Sequence, residues 1–262
     1  MDAADITARL GGRHLPWDVR VPDRTASTNA DVAAAARVGA PEGLVVVTED
    51  QRQGRGRLAR SWQSPAGAGL AVSVLLRPAP VPAARWPWLP LLAGLAVRVA
   101  VRDGTGLDAS LKWPNDVLVG GRKLAGILLE RVDGSAGPAA VVGIGVNVAM
   151  TDEQLPVPEA TSLAVEGVTM EPADLLVLLL ERLGQAYVGW REAGGDPGAG
   201  LGEEYAAACG TTGGQVRVGL PDGSVLDGLA TGVDAAGRLQ VWTGSTTVLV
   251  GAGDVVHVRP VP

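Results

Sequence analysis

The chain has 262 residues, 47% of them hydrophobic, and a formal net charge of −6. That length suits one full domain with a smaller second one, and the acidic balance argues against a body built to hold nucleic acid. A single cysteine, Cys209, excludes an internal disulfide framework and a cysteine metal cluster, and only two histidines, His14 and His257, argue against a histidine metal site or a Ser-His-Asp triad. Both histidines read as structural or solvent-facing.

Residues 1–22 show little periodicity and contain two prolines, so they read as a leading arm with room for one helical turn. No apolar h-region follows Met1, so no signal peptide is expected, nor a separate DNA-reading helix-turn-helix before the core. Ser27, Thr28 or Asn29 can cap a helix over residues 32–38, with Gly39 placed to end it. Capping alone would account for that cluster. Residues 43–48 (GLVVVT) and 69–76 (GLAVSVLL) read as buried strands.

Between those strands, residues 49–65 carry Arg52, Arg55, Arg57 and Arg60, interleaved with Gly54 and Gly56, and no Asp or Glu follows until Asp103. The glycines let the backbone approach a ligand closely. Without a hydrophobic period the segment is expected to be a mobile loop that orders over an anion. The bland alternative is a solvated charge run, but a segment held between two buried strands is not a trailing tail. A small phosphate ligand suits a local positive patch on an acidic chain better than a duplex does.

Farther on, residues 78–82 form a rigid connection, and a helix is expected from near Trp86 to about Arg102, with Pro87 and Pro90 in its first turn. The apolar stretch 89–101 is interrupted by Arg98 and too short to span a bilayer. Residues 117–119 and 123–130 read as strands joined at Gly120-Gly121, and 139–148 (AAVVGIGVNV) as another buried strand. Leu176, Leu179, Leu180, Leu183, Tyr187 and Trp190 share one helical face that ends at Gly194-Gly195, followed by a shorter helix over 203–209. From Gly213 the pattern changes to short runs at 216–220, 224–229, 239–242 and 246–250, which describe a small β-barrel or sandwich. Division into residues 1–211 and 212–262 follows.

No G-x-x-x-x-G-K-[ST] phosphate loop occurs. Gly54-x-Gly56-x-x-Ala59 fits the dinucleotide fingerprint formally, yet it opens no helix and no acidic residue follows at the ribose-binding distance. Gly143-Ile-Gly145-Val-Asn147 reads better as strand backbone left bare for a flat ligand. Lys112-Trp113-Pro114 is extended, because the residue before proline avoids the helical region. Asn115 and Asp116 then offer amide and carboxylate groups. Lys123 opens an otherwise apolar strand, and a charge adjoining core needs an anionic partner. An ordinary exposed turn with solvated lysines is the alternative.

Ser27-Thr-Asn29, Gly54-Arg-Gly-Arg57, Lys112-Trp-Pro-Asn-Asp116, Arg122-Lys-Leu-Ala-Gly126 and Gly143-Ile-Gly145-Val-Asn147, in this order, resemble the biotin–protein ligase family over roughly residues 20–260. The resemblance implies an α+β fold, a mixed sheet flanked by helices like those of class II aminoacyl-tRNA synthetases and lipoate ligases, with an SH3-like C-terminal barrel. It implies a monofunctional member without the DNA-binding domain. Ser27, Thr28 and Asn29 would bind the biotin head group with Gln51 nearby, and Arg55, Gly56 and Arg57 would form a lid over biotin and the α-phosphate. Lys123 would sit at the carboxylate–phosphate junction, while Gly126 and Gly145 leave room for the ureido ring and valeryl chain. Lys112, Asn115 and Asp116 would surround the nucleotide and magnesium, with Asp116 as metal ligand, Asn147 near the phosphates or ribose, and Trp62 stacked on adenine. Arg57, Lys123 and Lys112 would carry the catalysis. Ala59 departs from the family's usual glycine and restricts the lid.

The implied reaction is ATP-dependent: biotin becomes biotinyl-5′-AMP and is then transferred to a lysine of a biotin carboxyl carrier protein. ATP, magnesium and biotin are the small molecules implied, no nucleic acid or membrane is, and the location implied is cytoplasmic. A lipoate or octanoyl ligase of the same fold is the alternative, and a nucleic-acid-binding protein using the arginine loop is the rival of another class.

Overall fold

The computed structural model describes residues 1–57, 60–198, 200–251 and 253–257. Ala59 lies outside them, as does the side chain of His257; His14 is exposed. Helix α1, Ala3–Leu10, is capped by Asp2, whose carboxylate accepts from the Asp5 N–H at 2.9 Å, and it buries Ile6 and Leu10. The expected leading arm is therefore an eight-residue helix of the core. Two apolar residues at i, i+4 are too few for a period to show.

Strand β1, Asp18–Arg20, runs parallel to β2, Leu44–Thr48. Between them α2, Thr28–Arg37, starts at the Ser27 cap, whose Oγ accepts from the Ala30 N–H at 3.4 Å. The arginine-rich segment is not wholly loop. Strands β3, Gly54–Arg55, and β4, Ser61–Trp62, pair antiparallel through Gly54 opposite Trp62 and Arg55 opposite Ser61. Backbone hydrogen bonds make this short hairpin, which a hydrophobic period cannot announce.

Strand β5, Gly69–Leu76, leads to α3, Trp88–Thr105, which starts after Pro87 and passes Asp103-Gly104 to end at Gly106. Strands β6, Ala109–Lys112, β7, Asp116–Val119, β8, Arg122–Gly134, and β9, Gly137–Asn147, follow as antiparallel hairpins. Gly120 and Gly121, at φ 57° and 78°, supply the positive-φ pair that a two-residue hairpin turn demands. Helix α4, Pro172–Glu192, and α5, Leu201–Ala208, precede β10, Gln215–Gly219, β11, Val225–Val233, β12, Leu239–Trp242, β13, Thr247–Val250, and β14, Asp254–His257. Strand β14 follows no turn motif and was not anticipated.

The main sheet has the order β1-β2-β5-β9-β8-β7-β6, mixed because only the β1–β2 pair is parallel. Side chains alternate across it. Val45, Val47, Val72, Val74, Val142 and Ile144 join α3 and α4 in the larger core. Leu44, Val46, Leu75, Val132 and Val141 point the other way and pack under Val32, Ala33 and Ala36 of α2. The C-terminal strands form an antiparallel sheet of order β13-β12-β11-β10-β14, the small all-β unit expected from the short runs.

The two sheets are joined by buried tryptophans. The Trp88 indole donates to the Asp234 carbonyl at 3.2 Å and Trp113 to the Gly237 carbonyl at 3.0 Å, while the Trp113 N–H donates to Thr211 Oγ1. Val216, Val218, Leu239 and Val241 thereby belong to the same apolar cluster as α3. Among the described residues no helix is long and apolar enough to cross a membrane.

Trp113→Phe keeps an aromatic ring but orphans the Gly237 carbonyl, so we expect a loss of about 1–3 kcal/mol. Urea unfolding measures it, and an unchanged midpoint would show that the indole bond contributes nothing to joining the sheets.

Candidate active site

The α2 face of the main sheet is large-sided beneath the helix and nearly bare beyond its N-terminus. Leu75, Val141 and Val132 fill the space under α2. One step of two along each strand stand Ser73, Gly143 and Glu130, two steps along stand Ala71, Gly145 and Leu128, and Gly126 is a third step along β8. Gly143 pairs with Ser73, and Gly145 with both Ala71 and Gly126, so these small residues form a contiguous floor, with Leu128 beside Gly143 at its edge. A cleft of about 710 Å³ stands on it.

At one end lies the start of α2, where unsatisfied backbone N–H groups favour negative or polar groups. Thr28 N–H donates to Gln51 Oε1 at 2.9 Å, and backbone bonds from Gln53 to Ala26 and from Arg52 to Thr25 hold the two segments together. Ser73 Oγ, fully buried, lies 2.7 Å from Thr28 Oγ1 and donates to Asn29 Oδ1 at 2.5 Å. Asn29 Nδ2 donates to Glu130 Oε2 at 2.7 Å. A Cβ on Gly143 would stand 2.1 Å from Asn29 Oδ1, so that position must be bare for Asn29 to sit here.

At the other end are Lys112 and Lys123, the only lysines in the chain, and both line the cleft. Lys123 Nζ lies 2.6 Å from Asp116 Oδ1, which is the anionic partner its position required. Asn115 is clamped to β8, its Nδ2 donating to the Ile127 carbonyl at 3.0 Å while its own carbonyl accepts the Ile127 N–H at 2.9 Å. Its Oδ1 accepts from Arg57 Nη1 at 3.2 Å. Asn147 Nδ2 donates to the Thr161 carbonyl at 2.8 Å, tying the segment that crosses Lys123.

The β3–β4 hairpin closes the open side. Arg57 is half-buried, and burial lowers its guanidinium from the usual value while Asp254 and Asp116 pull it back up. Arg55 is exposed, and Gly56 N–H donates to the Arg60 carbonyl at 2.7 Å. The Trp62 indole lies against the floor: a Cβ on Gly145 would come within 2.3 Å of it and one on Gly126 within 3.1 Å. Lys123 Nζ stands 5.8 Å from its ring centroid. The flat space over these two glycines is thus covered by a side chain of the chain itself, a finding the sequence did not disclose.

Every site residue singled out in the sequence therefore lines one cleft: Ser27, Thr28, Asn29, Gln51, Arg55, Gly56, Arg57, Trp62, Lys112, Asn115, Asp116, Lys123, Gly126, Gly145 and Asn147. Four residues were missed. Ser73 announced itself only as a lone hydroxyl in an apolar strand, Glu130 only as a charge in one; Asp254 and Val255 come from β14 and carried no local signal. Among the described residues no three carboxylate, histidine or cysteine side chains cluster. One carboxylate of the cleft, Asp116, is of the donor type that would hold a magnesium ion carried on nucleotide phosphates, and no set matching a caged ion occurs among the described residues.

The profile of the biotin/lipoate A/B protein ligase family matches residues 21–147, and that of the biotin protein ligase C-terminal domain matches 211–258. A biotin–[acetyl-CoA-carboxylase] ligase of Mycobacterium tuberculosis is 40% identical over 265 residues, covering 99% of this chain and 96% of that one. The bifunctional ligase/repressor BirA of Bacillus subtilis is 32% identical over 95% of this chain and 76% of its own. The structure of a biotin protein ligase from Aquifex aeolicus in complex with biotin and ATP superposes with a TM-score of 0.77 at 25% identity, covering 92% of this chain and 99% of that one. With the ordered motifs gathered in one cleft and a full-length relative at this identity, the chain belongs to the biotin–protein ligase family.

Proposed function

We propose that the cleft joins biotin to AMP at the expense of ATP and passes the acyl group to a lysine of a biotin carboxyl carrier protein. One observation carries the reading: a flat glycine floor has a polar helix start at one end and converging cations at the other. A ureido ring has two N–H donors and one carbonyl acceptor. The hydroxyls of Ser27 and Thr28 and the amides of Asn29 and Gln51 match that inventory. Gly126 and Gly145 keep the floor flat for the ring and its valeryl chain. Lys123, Lys112 and the hairpin residues Arg55, Gly56 and Arg57 then meet the carboxylate and the α-phosphate.

In the first step a carboxylate oxygen bonds to the α-phosphorus and the bond from that phosphorus to the bridging oxygen breaks, so pyrophosphate leaves with the electron pair. An anion approaches a polyanion, and the barrier is largely electrostatic. Each fixed cation where charge develops contributes about 3 kcal/mol. Lys123 and Arg57 occupy that place, with Lys112 beside the nucleotide. Magnesium, when bound at Asp116 and the phosphates, supplies further charge neutralisation. In the second step the carrier's neutral amine nitrogen bonds to the acyl carbon, the bond from that carbon to the phosphate oxygen breaks, AMP leaves with the electron pair, and the nitrogen gives up a proton to solvent. No side-chain nucleophile is needed. Water would hydrolyse the adenylate, so the hairpin must cover it.

Asn115 acts in this reading by holding Arg57 rather than by touching the nucleotide first, and Asn147 by fixing the segment over Lys123. Trp62 leaves the floor to stack on adenine. Residues 1–211 bind biotin and ATP, and 212–262 form the C-terminal unit. Its need for ATP and carrier places the work in the cytoplasm. The lipoate alternative is not supported, since the Mycobacterium tuberculosis relative, matched over 99% of this chain, carries biotin ligation in its name.

Labelled pyrophosphate should exchange into ATP when biotin is supplied and not when lipoate is. Exchange that ignores biotin overturns the reading. Lys123→Ala should slow adenylate formation by about 100-fold while weakening ATP binding much less; equal losses would remove its transition-state role. Arg57→Gly should release adenylate early and label lysines of a bystander protein, with the ligase itself labelled only at Lys112, Lys123 or its terminal amine, its sole amines. Mass spectrometry of both proteins reads this, and adenylate retention equal to the parent's would refute the role of Arg57.

A further inference from the structure

Strand β14 brings a carboxylate to the rim of a cleft whose charged lining is otherwise cationic apart from Asp116. Asp254 accepts from Arg60 Nη2, a residue 194 positions away. Burial pushes the Asp254 carboxyl up, but the Arg60 hydrogen bond, with Lys112 and Arg57 farther off, holds it below the usual carboxylate range. Asp254, Val255 and Val256 all line the cleft. A carboxylate at the mouth of a polyphosphate site repels its ligand unless a cation holds it.

The two partners are anchored very differently. Asp254 pairs with Gly219 and Val255 with Val218 in the C-terminal sheet, and Val255 is buried. Arg60 belongs to a hairpin whose ladder has two rungs, closed by its own bonds between Gly56, Arg57 and Arg60. Among the described residues its other side-chain attachments are Arg57 to Asn115 and the Trp62 indole on the floor beside Lys123.

We propose that Asp254 is a positioning residue: by tying Arg60 to the C-terminal sheet, it sets the β3–β4 hairpin, and with it Arg57 and Trp62, over the cleft. The C-terminal unit thus contributes to holding the adenylate without touching it. What the hairpin does to the adenylate rests on the function proposed above; the tether itself does not.

The full-length chain without substrates tests the tether. Asp254→Asn should speed hydrogen exchange of the Gly56 and Arg60 amides about fivefold, the scale of a half-exposed ion pair, with no change in melting temperature. Exchanging the charges, Arg60→Asp with Asp254→Arg, should restore the slower rate. Exchange in Asp254→Asn equal to the parent's, or no restoration by the swapped pair, overturns the proposal. With biotin and MgATP, Asp254→Asn should also lose bound adenylate faster by a similar factor, and the swapped pair should regain it. A faster-exchanging hairpin that keeps adenylate as long as the parent overturns the positioning role. Should the parent itself form no adenylate, the function proposed above fails, and the exchange measurement still decides the tether.

Discussion

Everything in the cleft depends on one face of the main sheet serving two purposes. Alternation along a strand sends every second side chain to the same side, so β5, β8 and β9 must supply both the packing under α2 and the floor beyond it. Leu75, Val132 and Val141 do the first. Ser73, Gly143, Gly145 and Gly126, two to six residues farther along, do the second. Because backbone groups of the floor are already paired within the sheet, removing side chains there leaves a flat apolar surface without orphaned donors. A register slip of one residue would put Ile144 and Val146 into the cleft and the glycines into the core. Buried valines on the opposite face fix that register.

Charge is arranged by the same economy. The chain is acidic overall, yet both of its lysines face the cleft, and every other cationic side chain apart from histidine is arginine. A guanidinium cannot be deprotonated in a protein and is no acylation target, whereas a free surface amine would compete for an activated acyl group. Lys123 is held against Asp116, so its charge is compensated before any ligand arrives. Arg57 sits against the neutral Asn115 Oδ1 and remains the less compensated cation. The cations that a developing negative charge would meet are thus fixed in advance by neighbours that do not themselves react.

How much of this could be read from the residues depended on whether the signal was local. The glycine hairpin at 120–121, the buried strands and the long α4 face were legible because turn chemistry and periodicity act over a few positions. The cleft's lining was legible through motifs, since Gly54-Arg-Gly-Arg57 or Lys112-Trp-Pro-Asn-Asp116 packs several lining residues into one short run. Helix α1 was missed because two buried residues make no period. The hairpin at 54–62 was missed because its bonds are backbone bonds. Asn115 and Asn147 were read as ligand contacts, and the structure adds that each has an amide already committed to backbone. Ser73, Glu130 and Asp254 matter through partners at least 44 positions away, and no window along the chain contains such a pair.

The position of Trp62 follows from the same floor. A flat surface without side chains leaves apolar area open to water unless a flat group lies on it. The indole supplies one, with Lys123 near its π face. Any planar ligand that uses the floor must first displace this ring, and it gains only the difference between its own contacts and the indole's. Affinity must therefore come from the two ends, where Asn29 and Ser73 stand at one and Lys123 at the other. The floor selects shape, the ends select chemistry, and the side chain that guards the floor is carried on the hairpin that Arg57 and Arg60 fasten down.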